Sequence, residues 1–301
     1  MRTNSLLATL LLSTSLVACA DDPADVEPQP DLLALPGQAY YPESLHAAAD
    51  GTLYVGSLTT GSVIAFDDGA IEARVVIAPG DHGVTGVTGV LVRGDELWLC
   101  SVDPTFQRAT EIRSFTLAGQ PIATYPLPAT QFCNDLAFDA AGNLYATDSF
   151  SGTIQRIAAG GEAVETFVAD PRFVPDAQGA FGLDGIAFIG ETLYVNKLDT
   201  GELFAISPDR TITELAVTPA LVAPDGMRAH EGTLLVIEGA GRLTQVALDG
   251  TATTIASDLD MPTAVVVARG SAWVSEGQLG RLFASPQQAP NLPFAIRRID
   301  M

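Results

Sequence analysis

The chain has 301 residues, 47% of them hydrophobic, and its 15 Lys and Arg stand against 36 Asp and Glu, a formal net charge of -21. So sparse a basic complement excludes DNA, RNA and anionic membrane surfaces as partners, because those are held by clustered positive groups. The charge favours cations, and the apolar fraction is enough for the core of one large domain.

In chain order, Arg2 gives a positive start and residues 6–17 form an apolar run too short to span a bilayer. The run closes on Leu16-Val17-Ala18-Cys19, which resembles the lipobox of bacterial lipoproteins. That resemblance implies a signal peptide over 1–18, a lipidated Cys19 and membrane contact through the lipid alone. Ala20, in the place where Asp would retain such a protein in the inner membrane, implies the outer membrane. The alternative is an ordinary secretory signal cut near Ala18 or Ala20, and export follows from either. Residues 19–36 are rich in Asp, Glu and Pro and read as a tether, because they offer little surface to bury against the entropy of ordering. Residues 37–301 are expected to form the folded domain.

Internal repetition organises that domain. Segments 43–55, 88–99, 134–146, 184–195, 225–236 and 263–274 superpose as an apolar strand, a Gly or Asp turn and a second apolar strand. Most continue into a Gly turn and a third strand, at 61–66, 152–157, 201–206, 241–246 and 280–284, and a fourth leads to the next repeat. A period of roughly 40 to 50 residues with about four short strands per repeat is the pattern of propeller blades. The fold class predicted is all-β: a six-bladed β-propeller with four-stranded antiparallel blades. Either 31–35 or 294–299 is expected to supply the outer strand of the last blade.

In a propeller the first strand of each blade lines the axis, and its first residue lies at the tunnel mouth. Those residues are Glu43, Thr88, Asn134, Asp184, Asp225 and Thr263. Three carboxylates, an amide and two hydroxyls have no use in hydrophobic packing and suit a hard cation, calcium or magnesium, with manganese or zinc as further options. The competing reading makes the Asp-Gly and Asn-Asp pairs turn residues that cap backbone groups.

Four pieces, Tyr41-Pro42-Glu43-Ser44, the run from Asn134 to Asp148, Leu183-Asp184-Gly185-Ile186-Ala187-Phe188 and Pro224-Asp225-Gly226, resemble the senescence-marker-protein, gluconolactonase and regucalcin-like propellers. The resemblance implies a divalent cation on Glu43, Asp184 and Asp225, and substrate contact by Asn134. Two positions depart from the family pattern. Asp184 replaces the usual Asn, and Phe132 stands where members acting on sugar lactones can carry an Arg, which puts a sugar acid lactone in doubt.

The function expected is metal-dependent hydrolysis of a lactone or ester, a small-molecule substrate, in the cell envelope. Asp225 would also take a proton from water, and Lys197 would steady a developing oxyanion. Asp148, near the end of a second strand, and His82, on the loop entering blade 2, are candidate substrate contacts. The alternative is a noncatalytic ligand- or protein-binding propeller lipoprotein. Glu238 and Glu276 read as solvated rim residues, and His46 and His230 as packed or hydrogen-bonded groups. Cys100 and Cys133 either pair in an oxidising compartment or remain two buried thiols. No Gly-x-Ser-x-Gly elbow, nucleotide loop or zinc-type cysteine spacing occurs.

Overall fold

A computed structural model describes residues 30–301; Arg2, Cys19, Ala20 and most of the expected tether lie outside them. Among the described residues no helix is long and apolar enough to cross a membrane. The chain forms six four-stranded antiparallel sheets. Their innermost strands are Pro42–Ala47, Gly86–Arg93, Cys133–Phe138, Leu183–Ile189, Pro224–His230 and Pro262–Ala268. The fold is a six-bladed β-propeller.

The strands are almost continuously apolar because each blade is packed on both faces by its neighbours. Six hydrophobic clusters fill the six interfaces. Between the last blade and the first, for example, Leu45, Leu53, Val55, Ile64 and Phe66 meet Ala264, Val266, Trp273 and Ile296. Trp273, buried completely, matches Tyr54 and Tyr194 in their own interblade clusters. Truncating such a residue would cost about 3–5 kcal/mol. Outer strands, such as Val164–Ala169, have no fully buried residue and run from half-buried to exposed.

Closure uses both candidate segments rather than one. Ala295–Ile299 is the third strand of blade 6, and Leu32–Ala34 adds the fourth, with Leu33 opposite Ile296. The sheet therefore begins inside the segment expected to be tether. The third strand expected at 280–284 is instead a helical turn, Leu279–Leu282. That turn lies at the tunnel mouth, so the last blade's departure from the repeat contributes to the site.

Candidate functional site

The same irregularity recurs at the start of all six innermost strands. Pairing with the second strand shifts register between Pro42 and Ser44, Val87 and Gly89, Cys133 and Leu136, Leu183 and Ile186, Pro224 and Met227, and Pro262 and Ala264. Each shift contains one of the six residues singled out by the repeat. A bulge re-aims its side chain away from the regular alternation, and here all six line one axial cavity of about 10 Å³, enough for a single water or ion. The glycines that follow two of the carboxylates are required by blade packing. A Cβ at Gly185 would lie 2.5 Å from the Asp225 carbonyl oxygen, and one at Gly226 would lie 2.5 Å from that of Thr263.

The six positions divide by what their side chains do. Thr88 donates to the Cys133 carbonyl at 2.8 Å and Thr263 to the Pro42 carbonyl at 2.9 Å, so both hydroxyls staple adjacent blades. Asn134 donates through Nδ2 to Asp184 at 2.8 Å and to Ser149 at 3.0 Å, which fixes its amide plane. Glu43 and Asp184 are buried, and Asp225 is half-buried. No described residue hydrogen-bonds the Glu43 carboxyl.

These carboxyls resist ionisation. Burial, reinforced by the charges of Asp225, Asp184 and Asp135 and offset by Arg228, holds Glu43 well above the usual carboxylate range. Asp184 is raised by burial first and then by Asp225 and Asp135. Burial pushes Asp225 up to about 7, against the Gly226 amide and a hydrogen bond with Asp184 that lower it. The charge of Asp225 thus opposes ionisation of Asp184.

Beneath this ring lies a pair that sequence reasoning missed. Arg228 of blade 5 crosses the axis to Asp135 of blade 3, with Nη1 and Nη2 at 2.5 and 3.2 Å from the two carboxylate oxygens. The signal was present in the repeat. Arg228 stands in the column otherwise filled by His46, Leu91, Ala137, Ala187 and Val266, and Asp135 in one filled by Ser44, Gly89, Gly185, Gly226 and Ala264. One opposite-charge pair in two otherwise uncharged columns marks a contact across the axis.

An all-oxygen donor set with a surplus of acid over base fits a hard divalent cation in chemistry and charge. Among the described residues, however, no group of three or more His, Cys, Asp or Glu side chains is disposed to hold a metal ion. Because their pKa values are raised, a cation held by Glu43, Asp184 and Asp225 would have to displace protons from them.

Above the ring opens a cavity of about 350 Å³, floored by Glu43, Thr88, Asn134, Asp184 and Asp225. Its walls are apolar. Phe132 packs on Phe150 at 5.0 Å and on Phe181 at 5.3 Å between ring centroids, and Phe106 joins them at 5.8 Å from Phe132. Leu58, Leu198 and the turn residues Leu279, Leu282 and Phe283 add to the lining, and among the described residues no Lys, Arg or His takes part.

Asp148 does not line the cavity but builds it. Its carboxylate accepts the backbone N–H groups of Phe132 at 2.9 Å and Phe150 at 3.0 Å, together with the Ser151 and Thr153 hydroxyls. Asp103 does the same for the loop bearing Phe106, accepting from the Thr105 and Gln107 amides. Phe106 itself has φ 56°, a conformation costly for a bulky residue, which the loop maintains.

Other expected residues lie elsewhere. Lys197 is buried, with its ammonium 2.5 Å from Asp176 and 3.7 Å from Asp199, and lines neither cavity. Burial alone would lower its pKa, but the Asp176 hydrogen bond and the charges of Asp199, Asp176 and Glu202 raise it. The oxyanion role expected of it has no support in this placement. His82 sits on the exposed 3-10 turn Asp81–Gly83 against Phe115, outside both cavities. Glu238 and Glu276 are not solvated rim groups. Each is buried and paired, with Arg242 at 2.6 Å and Arg297 at 2.9 Å.

His46 accepts the Val92 amide through Nδ1 at 3.2 Å, and burial drives its pKa down to about 3. Cys100 and Cys133 form a disulfide that staples blades 2 and 3 beside Asn134.

No protein-family model and no curated protein matches the sequence. The fold is similar to those of solved structures with varied descriptions. One is a gluconolactonase from Xanthomonas campestris, with 17% identity, TM-score 0.66 and 89% of each chain covered. Another is the major allergen Mala s 1 of Malassezia sympodialis, with 13% identity, TM-score 0.70, and 91% of this chain and 97% of that one covered. A third is virginiamycin B lyase from Staphylococcus aureus, with 17% identity, TM-score 0.60, and 90% of this chain and 87% of that one covered. At these identities the likeness is one of fold, and function has to be argued from the site.

Proposed function

We propose that this propeller is a divalent-cation-dependent hydrolase of a lactone or ester, and that the same mouth has no role in nucleic-acid binding. The observation that carries the reading is the convergence of six bulged strand starts on one axial void, with three carboxyls at the floor of an apolar cavity. Glu43, Asp184 and Asp225 would hold the cation, calcium or another hard ion. When bound it would polarise an acyl carbonyl or lower the pKa of a water.

The chain's own groups supply the rest. Asn134, its plane fixed by Asp184 and Ser149, orients the acyl group. Asp225, the most open of the three carboxyls, takes the proton of the attacking water. The phenylalanine wall keeps bulk water out. The gluconolactonase among the structural neighbours is consistent with this class of chemistry. We place the enzyme in the cell envelope as a lipoprotein anchored through Cys19.

The test is hydrolysis of a panel of lactones and aryl esters with calcium, magnesium, manganese or zinc, beside a Glu43→Ala control. Metal-dependent turnover that the control lacks is the expected result; metal binding with no turnover would sink the enzyme reading. The apolar lining of the cavity favours one second reading, in which it binds an apolar ligand without turning it over.

A further inference from the structure

The composition of the cavity above the acid ring narrows the ligand. Its polar groups lie at the floor, in Glu43, Thr88, Asn134, Asp184 and Asp225, with Thr59 added, while the remaining lining is Phe, Leu, Pro and Gly. Among the described residues no cationic side chain lines it to pair with a carboxylate or phosphate. A polyhydroxylated ring lying on Phe106, Phe132 and Phe181 would leave hydroxyls without partners, a desolvation cost that an alkyl or aryl group does not incur. The wall is also built in place, since Asp148 holds Phe132 and Phe150 by their amides and Asp103 holds the loop of Phe106 in a strained conformation.

We infer that, granted the hydrolase reading above, the mouth takes an uncharged lactone or ester bearing an aromatic or medium-chain alkyl group. That group is seated on the phenylalanine wall with the acyl carbonyl toward Asn134 and Asp225. A cavity of about 350 Å³ accommodates on the order of ten to fifteen non-hydrogen atoms.

The reaction is the addition of one water across the acyl C–O bond. The water oxygen bonds to the acyl carbon, the bond to the leaving oxygen breaks, and that oxygen takes a proton to become the alcohol. The second proton of the water leaves as the product acid ionises.

Two measurements separate this inference from the hydrolase reading. The first is calorimetric titration with 2-heptylcyclopentanone, an uncharged carbocyclic mimic that cannot be hydrolysed, against wild type, Phe132→Arg and Phe106→Ser. Wild type should bind, and Phe132→Arg should weaken binding at least tenfold. Phe106 is half exposed and contributes little to the core, so Phe106→Ser should fold and weaken binding several-fold even if the buried substitution does not fold.

The second compares kcat/KM for γ-nonalactone and for glucono-1,5-lactone with added calcium, where at least a tenfold preference for the alkyl lactone is expected. Ketone binding without turnover of any lactone would overturn the hydrolase reading and leave the ligand class standing. Preference for the sugar lactone, or ketone binding that neither substitution weakens, would overturn the ligand class and leave the hydrolase standing.

Discussion

Blades 4 and 6 begin with the same backbone feature and use it for opposite ends. Both innermost strands carry a bulge just after their first residue. In blade 6 the residue there is Thr263, whose hydroxyl bonds the Pro42 carbonyl and the Ser275 hydroxyl and closes the ring of blades. In blade 4 it is Asp184, whose carboxyl is held at the axis by Asn134 and Asp225, and the staple to the neighbouring blade comes from Asn196 to the Asp225 carbonyl. The repeat creates six equivalent places to aim a side chain at the axis. Side-chain chemistry alone decides which become parts of the scaffold and which form a site.

The sharpest way to test that division is Asp225→Asn, which keeps the shape and removes the base. Metal-dependent kcat should fall about 10²- to 10⁴-fold in steady-state kinetics. Thr263→Val, at an equivalent position, should leave kcat within a few-fold.

Next in size is Arg228→Met. It strands Asp135 beneath an already acidic ring, and chemical denaturation should show a loss of about 3–5 kcal/mol. A companion Asp135→Leu change should recover much of it, which is the outcome that distinguishes an ion pair from simple packing.

The three axial carboxyls also predict a contribution to the stability profile. Their folded pKa values lie above those of the unfolded chain, so these groups bind more protons in the native state and contribute most to stability at acid pH. In chelator the melting temperature should decline as pH rises from about 4, the unfolded value, through about 7, the value reached by Asp225. Calcium should reverse the decline at the alkaline end, by about 2.7 kcal/mol at a hundredfold excess over Kd. An Asp225→Ala protein that gains as much from calcium as wild type would refute the assigned site. The smallest effect expected is the staple itself, with Thr263→Val costing about 1 kcal/mol of stability. Independently, Cys19→Ser should abolish palmitate labelling of the cellular protein.

Much of this was legible in the repeat. A strand, turn and strand restarting six times fixes a propeller, because no other arrangement buries both faces of so many short apolar strands equally. The ring of Glu43, Asn134, Asp184 and Asp225 was legible for the same reason, as polar residues at one phase of an apolar period. Lys197, Glu238 and Glu276 were misplaced because ends of second strands look alike in sequence. Whether such a charge faces the mouth or a neighbouring loop depends on Asp176, Arg242 and Arg297, which the repeat does not align. The final blade misled as well, since Gly280 and its neighbours match a third strand locally, yet the real third strand arrives after a longer excursion.

Periodicity determined what is local and repeated, namely the blade number, the strand order within blades and the residues that meet at the axis. Tertiary structure alone decided what depends on pairs distant in sequence. Leu33 against Ile296 closes the sheet, Arg228 reaches Asp135 across the tunnel, and Cys100 bonds Cys133. The wall of Phe106, Phe132, Phe150 and Phe181 is gathered from three different blades. The physical reason is that a period reports the environment shared by equivalent positions, whereas a pocket is made by loops that break the period.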